Sequence, residues 1–152
     1  MKPHKVLLSG VYGGIGKEIA KSLSLQNIKV IGMDLFPVDH DQFPLDDYYQ
    51  IDLTSLELIN EQLEKIYQDH KDIDLIINNA GIAHIKSFMD ESEAEFNKVM
   101  DINFNSLVIS TRFWINKFEG NVKTHCRQCA DFAAINDTLR KQGLLPKWEP
   151  VI

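Results

Sequence analysis

Apolar positions along the chain switch between two periods. Val6, Leu7 and Leu8 form a continuous run inside Lys5–Ser9 that stops at glycines, the pattern of a buried strand. Ile15, Ile19 and Leu23 then recur at helical spacing, with Ala20 beside them, and Asn27 closes that helix. Residues 28–34 (IKVIGMD) predict a second strand ending in an acid, and two prolines between Leu35 and Asp47 mark a loop. Residues 48–52 (YYQID) predict a short third strand. Thr54-x-x-Glu57 then reads as a capping box for a helix bearing Leu56, Ile59, Leu63 and Ile66. Residues 72–81 (DIDLIINNAG) predict a fourth strand, continuously apolar from Leu75 to Ile77 as in a strand covered on both faces. Ser92-x-x-Glu95 is a second capping box, opening one long helix through Phe96, Val99, Met100, Asn103 and Leu107 to about Phe118. This alternation implies an α/β fold: a parallel sheet with right-handed crossovers and helices on both faces.

Composition sets the bounds. With 152 residues, 44% apolar and 25% charged, the chain matches one ordinary globular domain. The N-terminal apolar run is too short for a signal peptide and nothing later approaches a membrane-spanning length, so the expected location is cytoplasmic. Residues 1–116 hold 10 Lys/Arg against 18 Asp/Glu, whereas residues 117–152 hold 6 against 4. The acidic first part argues against a nucleic-acid surface. The change of character near Lys117 divides the chain into a unit of residues 1–118 and a tail of residues 119–152. In that tail Phe132, Ile135 and Leu139 share a helical face, so a helical tail capping the exposed long helix is predicted. His125-Cys126-x-x-Cys129 offers three zinc ligands where a closed structural site needs four, so no metal site is expected.

The stretch Ser9-Gly10-Val-Tyr-Gly-Gly14-Ile15-Gly16 lies between the first strand and the first helix, where backbone amides and the positive helix end converge on an anion. Glycines at 10, 14 and 16 remove the side chains that would obstruct a tight turn, the approach of a diphosphate and packing of the helix on the strand. Asp34 ends the second strand, where a carboxylate accepts hydrogen bonds from both hydroxyls of an adenosine ribose and repels a 2′-phosphate. No Arg or Lys stands at 35–40, so the expected cofactor is NAD rather than NADP.

These residues resemble the classical short-chain dehydrogenase/reductase family. Gly10, Gly14 and Gly16 meet its Gly-x-x-x-Gly-x-Gly signature, and Asn78-Asn79-Ala80-Gly81 its Asn-Asn-Ala-Gly strand end. Asp52-Leu53 matches the acidic position beside adenine, and Val99-Met100-Asp101-Ile102-Asn103 the segment bearing the active-site Asn. The resemblance spans about residues 5–118 and implies a Rossmann-like sheet in the order 3-2-1-4. It implies a cofactor site of Ser9, Gly10, Gly14, Ile15, Gly16, Asp34, Leu35, Asp52, Leu53, Asn79, Ala80 and Gly81. Asn103 would take part in catalysis within a proton relay, its alternative being an amide satisfied by backbone. The implied reaction is hydride transfer between NAD(H) and a small alcohol or carbonyl substrate.

The family's remaining groups, a Ser and a Tyr-x-x-x-Lys, should follow Asn103, yet no serine follows Ser110 and no tyrosine follows Tyr67. Tyr67 and Lys71 have the right spacing but precede the fourth strand, on the far edge of the sheet from the nucleotide, so they are a surface coincidence. The fold is therefore expected to be incomplete relative to the family, with no apolar fifth strand after Phe118. An open edge on the fourth strand then predicts a homo-oligomer joined through that edge and the helix face. Two function classes follow: an oxidoreductase that is catalytically incomplete alone, from a missing partner or a truncated gene, or a non-catalytic NAD-binding or interaction module.

Overall fold

A computed structural model describes residues 3–37, 44–117 and 123–126. Five parallel strands form one sheet in the order β3-β2-β1-β4-β5: β1 Lys5–Ser9, β2 Lys29–Asp34, β3 Asp47–Gln50, β4 Leu75–Asn78 and β5 Lys123–Cys126. Helix α1 (Gly14–Leu25) joins β1 to β2, and α2 (Leu56–Asp69) joins β3 to β4. Beyond β4 the chain forms α3 (Glu93–Met100), a π turn (Asp101–Asn105) and α4 (Ser106–Lys117). Among the described residues no helix is long and apolar enough to cross a membrane.

Strand alternation assigns the two faces. Leu7, Ile31, Met33 and Ile76 point to one side and close a core with Ile59, Leu63 and Ile66 of α2 and Trp114 of α4. Leu8 and Val30 point to the other, against Val11 of the loop after β1 and Ala20 of α1, and Val6 and Leu75 pack there with Ile28. All but Leu75 (8%), Ile28 (5%) and Met33 (2%) are at most 1% exposed. Asn27 takes φ +57° just past α1, the left-handed conformation in which a helix commonly ends.

Two expectations are corrected. A fifth strand exists: Lys123–Cys126 pairs in parallel with β4 from Leu75↔Lys123 to Asn78↔Cys126, so β4 is interior and its predicted open edge is covered. KTHC lacks an apolar run, but a strand at the rim of the sheet is held through its ladder and can carry polar side chains. The Thr54 capping box does not form. Asp52 Oδ1 accepts both the Thr54 hydroxyl (2.7 Å) and amide (2.9 Å), and Ser55 becomes the residue before α2. The long helix and its capping box at Ser92 and Glu95 form as expected, with a π turn at Asp101–Asn105 inside an otherwise continuous run from Glu93 to Lys117. The helical tail expected over 131–142 and Cys129 lie outside the described residues.

Candidate functional site

The carboxyl ends of β1, β2 and β4 meet where the strand order reverses between β1 and β4, the place where open α/β sheets carry their ligands. The three signature glycines have distinct surroundings there. Gly10 turns at φ +66° with its amide on Met33 O (2.9 Å), and a Cβ would lie 2.7 Å from Ala80 Cα. A Cβ on Gly16 would lie 2.1 Å from Gly10 O, so this glycine lets α1 close onto the loop. Gly14 differs: a Cβ there meets nothing within 4 Å. The fold has no steric need of a glycine at 14, and the space in front of the helix is open. Gly13 caps α1 without a side chain and no acid stands in the first turn, so the amides of Gly14, Ile15 and Gly16 open the helix with its positive end uncompensated.

Asp34 is half-buried at the end of β2. Its carboxylate accepts the Tyr12 amide (2.9 Å) and the Leu35 amide (2.7 Å), which fixes it beside the glycine loop. Leu35 is 45% exposed and Phe36 62% exposed, so two apolar side chains stand at the rim. Asp52 is turned into its own loop by the Thr54 contacts already described. Leu53 lines a small cavity with Ser9, Met33, Asn78, Ala80, Ile102, Ser106, Leu107 and Ser110.

The end of β4 is bolted to the loop. Ser9 Oγ accepts the amides of Asn79 (2.9 Å) and Ala80 (3.0 Å), and Asn79 Nδ2 donates to Ser9 O (3.0 Å) and Gly10 O (3.1 Å). Asn79 Oδ1 is buried without a hydrogen-bond partner. Gly81 is exposed beyond it. Asn103 sits in the π turn and holds Ile82 at two points: Nδ2 donates to Ile82 O (2.7 Å) and Oδ1 accepts the Ile82 amide (2.8 Å). Both polar groups of its side chain are thus engaged by backbone. A π turn in a helix often marks a functional site, and here it aims an amide at the loop that borders one. A second polar group behind it escaped sequence reasoning. Ser110 Oγ donates to Asn78 Oδ1 (3.2 Å), and Asn78 Nδ2 reaches Thr111 Oγ1 (3.4 Å). The trace in the sequence was three hydroxyl residues at 106, 110 and 111 interleaved with the apolar positions Leu107, Val108 and Ile109.

Tyr67 and Lys71 do not form a pair. Helix α2 ends at Asp69, leaving Lys71 exposed beyond it, and the Tyr67 ring packs edge-on to Trp114 (6.2 Å between centroids, 71°). Tyr67 therefore lies in the layer between α2 and α4 rather than at a sheet edge, near the amino end of β4.

The loop after Ile82 is closed by ion pairs of His84 with Glu91 (3.0 Å) and of Lys86 with Glu95 (2.6 Å). Lys86, then the Ser92 hydroxyl and amide, pull the Glu95 carboxyl down to about 2 from an ordinary 4.5. A carboxyl with a lowered pKa stabilises the fold above its unfolded value and loses that contribution as pH falls through the folded one. The loop anchor is thus expected to be intact above about pH 4.5 and to loosen toward pH 2. An NMR titration of the Glu95 carboxyl checks this: Lys86→Met should move its midpoint upward, and an unmoved midpoint would mean that Lys86 does not make the contact in solution.

A cradle with an open Gly14, a carboxylate one strand over and an unpartnered buried amide oxygen fits a dinucleotide. Comparison with known proteins agrees. The family model for short chain dehydrogenases matches residues 4–125, four-fifths of the chain. The protein belongs to the short-chain dehydrogenase family. The match runs through β5 and so extends past residue 118, where the sequence patterns alone stop. An uncharacterized oxidoreductase of Saccharomyces cerevisiae is 41% identical over 103 residues, covering 64% of this chain and 32% of its own. The 3-oxoacyl-acyl-carrier-protein reductase FabG of Buchnera aphidicola is 31% identical over 128 residues, covering 77% of this chain and 52% of its own. Among solved structures, 4-hydroxyisoleucine dehydrogenase complexed with NADH superposes with a TM-score of 0.68 at 28% identity, covering 80% of this chain and 53% of that one. The chain thus spans about a third to a half of the length of the curated relatives it matches. It has the Rossmann-like, dinucleotide-binding fold of an oxidoreductase family.

Proposed function

We propose that this short-chain dehydrogenase chain binds NAD(H) in preference to NADP(H) and does not turn over by itself. The observation that carries the reading is the open space at Gly14 together with a carboxylate at Asp34 that the Tyr12 amide fastens to the same glycine loop. In this reading the amides of Gly14, Ile15 and Gly16 hold the diphosphate, with Ser9 and Gly10 shaping the turn. Asp34 accepts the adenosine ribose hydroxyls, and its charge opposes a 2′-phosphate, with no Arg or Lys at 35–40 to offset it. Leu35, Asp52 and Leu53 flank the adenine, and Asn79, Ala80 and Gly81 the second ribose. The bound nicotinamide supplies the hydride chemistry, exchanged in this family with an alcohol or carbonyl carbon. Asn103 acts through Ile82, holding the backbone of the loop at that end.

Hydride transfer to a carbonyl needs a proton donor within hydrogen-bond reach of the oxygen. With no tyrosine after Tyr67 and no serine after Ser110, this chain has none of the family's donors in the family's order. A second chain, or residues beyond 152, is the proposed source if turnover occurs. Phe96 and Phe104, 48% and 52% exposed, and Met100 between them at spacings of four offer an apolar stripe for such an association.

Calorimetric titration with NAD and NADP, followed by an NADH-absorbance assay against alcohols and ketones, tests the reading. NAD binding without turnover is expected, and turnover by the isolated chain would overturn the second half of the proposal. Asp34→Ala should weaken NAD by about tenfold to a hundredfold, the loss of hydrogen bonds to a charged acceptor, and leave NADP little changed. An unchanged preference would remove Asp34 from the site.

A further inference from the structure

Strand β3 is too short and too polar to have attracted notice as part of a binding site, yet its side chains fix the turn that carries Asp34. Tyr48 and Gln50 are two residues apart, so they project to the same face of β3, while Tyr49 projects to the other and donates to Asp69 Oδ2 (2.8 Å). The turn Asp34-Leu35-Phe36 has three successive carbonyl groups, and each is met from β3. The Tyr48 hydroxyl reaches Asp34 O (3.0 Å) and Phe36 O, its single proton serving either, and Gln50 Nε2 donates to Leu35 O (2.9 Å). The Tyr48 ring in turn packs on the Tyr12 ring (5.2 Å between centroids, 43°), and it is the Tyr12 amide that holds the Asp34 carboxylate. The glycine loop, the acid and β3 are thus fastened at one point.

We propose that Tyr48 is a positioning residue for cofactor selectivity: by tying down the carbonyls of Asp34 and Phe36 it keeps the Asp34 carboxylate facing the ribose hydroxyls and denies it the swing that a 2′-phosphate would require. The inference rests on the reading of Asp34 as the ribose acceptor. A carboxylate discriminates against a phosphate only while it is held in place; on a slack turn it rotates away and both cofactors enter. Burial, reinforced by the Asp34 carboxylate and then by Tyr12, holds the Tyr48 phenol well above its ordinary range. The hydroxyl therefore remains a donor at neutral pH, and a phenolate facing two carbonyl oxygens and an acid is disfavoured.

The test is the ratio of NAD to NADP affinity, measured by calorimetry on the whole chain for wild type, Tyr48→Phe, Gln50→Ala and Asp34→Ala. Tyr48→Phe keeps the ring against Tyr12 and removes only the hydroxyl. NAD binding should weaken about tenfold while NADP binding stays the same or tightens, so that the ratio falls about tenfold or more. Gln50→Ala should shift the ratio in the same direction by about threefold. Equal weakening of both cofactors, or an unchanged ratio in Tyr48→Phe, overturns the inference. If Tyr48→Phe does not fold, an unchanged ratio in Gln50→Ala overturns it. Failure of the underlying reading looks different: wild type then binds neither cofactor, or Asp34→Ala keeps the wild-type ratio.

Discussion

Gly16→Ala is expected to destabilise the protein by about 3 kcal/mol or more, or to prevent folding, whereas Gly14→Ala two residues earlier should leave stability unchanged or raise it. The contrast comes from their surroundings, since both glycines lie in the first turn of α1. A Cβ at 16 falls 2.1 Å from Gly10 O and 2.9 Å from Val11 Cα, all backbone, with no flexible side chain to give way. Relief requires moving α1 off the loop, and α1 is tied there by Ala20 packing on Leu8, Val11 and Val30. At 14 the added methyl enters open space, and a helical position gains by losing a glycine's excess freedom in the unfolded chain. Urea denaturation of both variants checks the pair. The second readout is binding: if the open space holds a diphosphate, Gly14→Ala should weaken NAD at least tenfold in a protein as stable as wild type. A Gly14→Ala variant that binds NAD like wild type would mean that the space at Gly14 is not the ligand's.

Much of this site was legible in the sequence because it depends on backbone. Glycines at 10 and 16 read as a turn and a packing contact because both roles follow from the absence of a side chain. The strands at 6–8 and 75–77 were legible from their continuous apolar runs, buried at Val6, Leu7, Leu8, Leu75 and Ile76, although β4 is confined to Leu75–Asn78. Features decided by competition between side chains were not. Thr54 has the pattern of a cap, but Asp52 captured its hydroxyl first. The π turn at 101–105 adds a residue to one helical turn, which a pattern of apolar positions smoothed over 92–118 cannot register. Strand β5 was missed because a rim strand owes its place to ladder bonds rather than to apolar side chains. Tyr48 escaped because nothing in YYQ distinguishes the phenol that reaches Asp34 from the one that reaches Asp69.

Trp114→Ala should cost about 3–5 kcal/mol, a large part of the roughly 5–15 kcal/mol that holds a domain of this size together. Trp114 is fully buried and is the largest side chain in the core between the sheet and helices α2 and α4. Its ring meets its α4 neighbour Phe113 edge-on at 5.2 Å and Tyr67 of α2 at 6.2 Å, so its removal takes away both the area and an aromatic contact that joins the two helices. The damage should stay on one side. Helix α1 packs on the opposite face through Leu8, Val11, Ala20 and Val30, a cluster that does not include Trp114. Hydrogen exchange is therefore expected to show lost protection in 56–69 and 106–117, with 14–25 much less affected. The glycine loop and Asp34 belong to the protected side, so folded Trp114→Ala should bind NAD within about threefold of wild type. The same geometry settles the place of Tyr67, whose spacing from Lys71 imitates a catalytic pair while its ring serves this joint. Uniform loss of protection across both faces would show instead that the sheet and its two helix layers unfold as one unit, and that α4 is not an independently loosened support for Asn103 and Ile82.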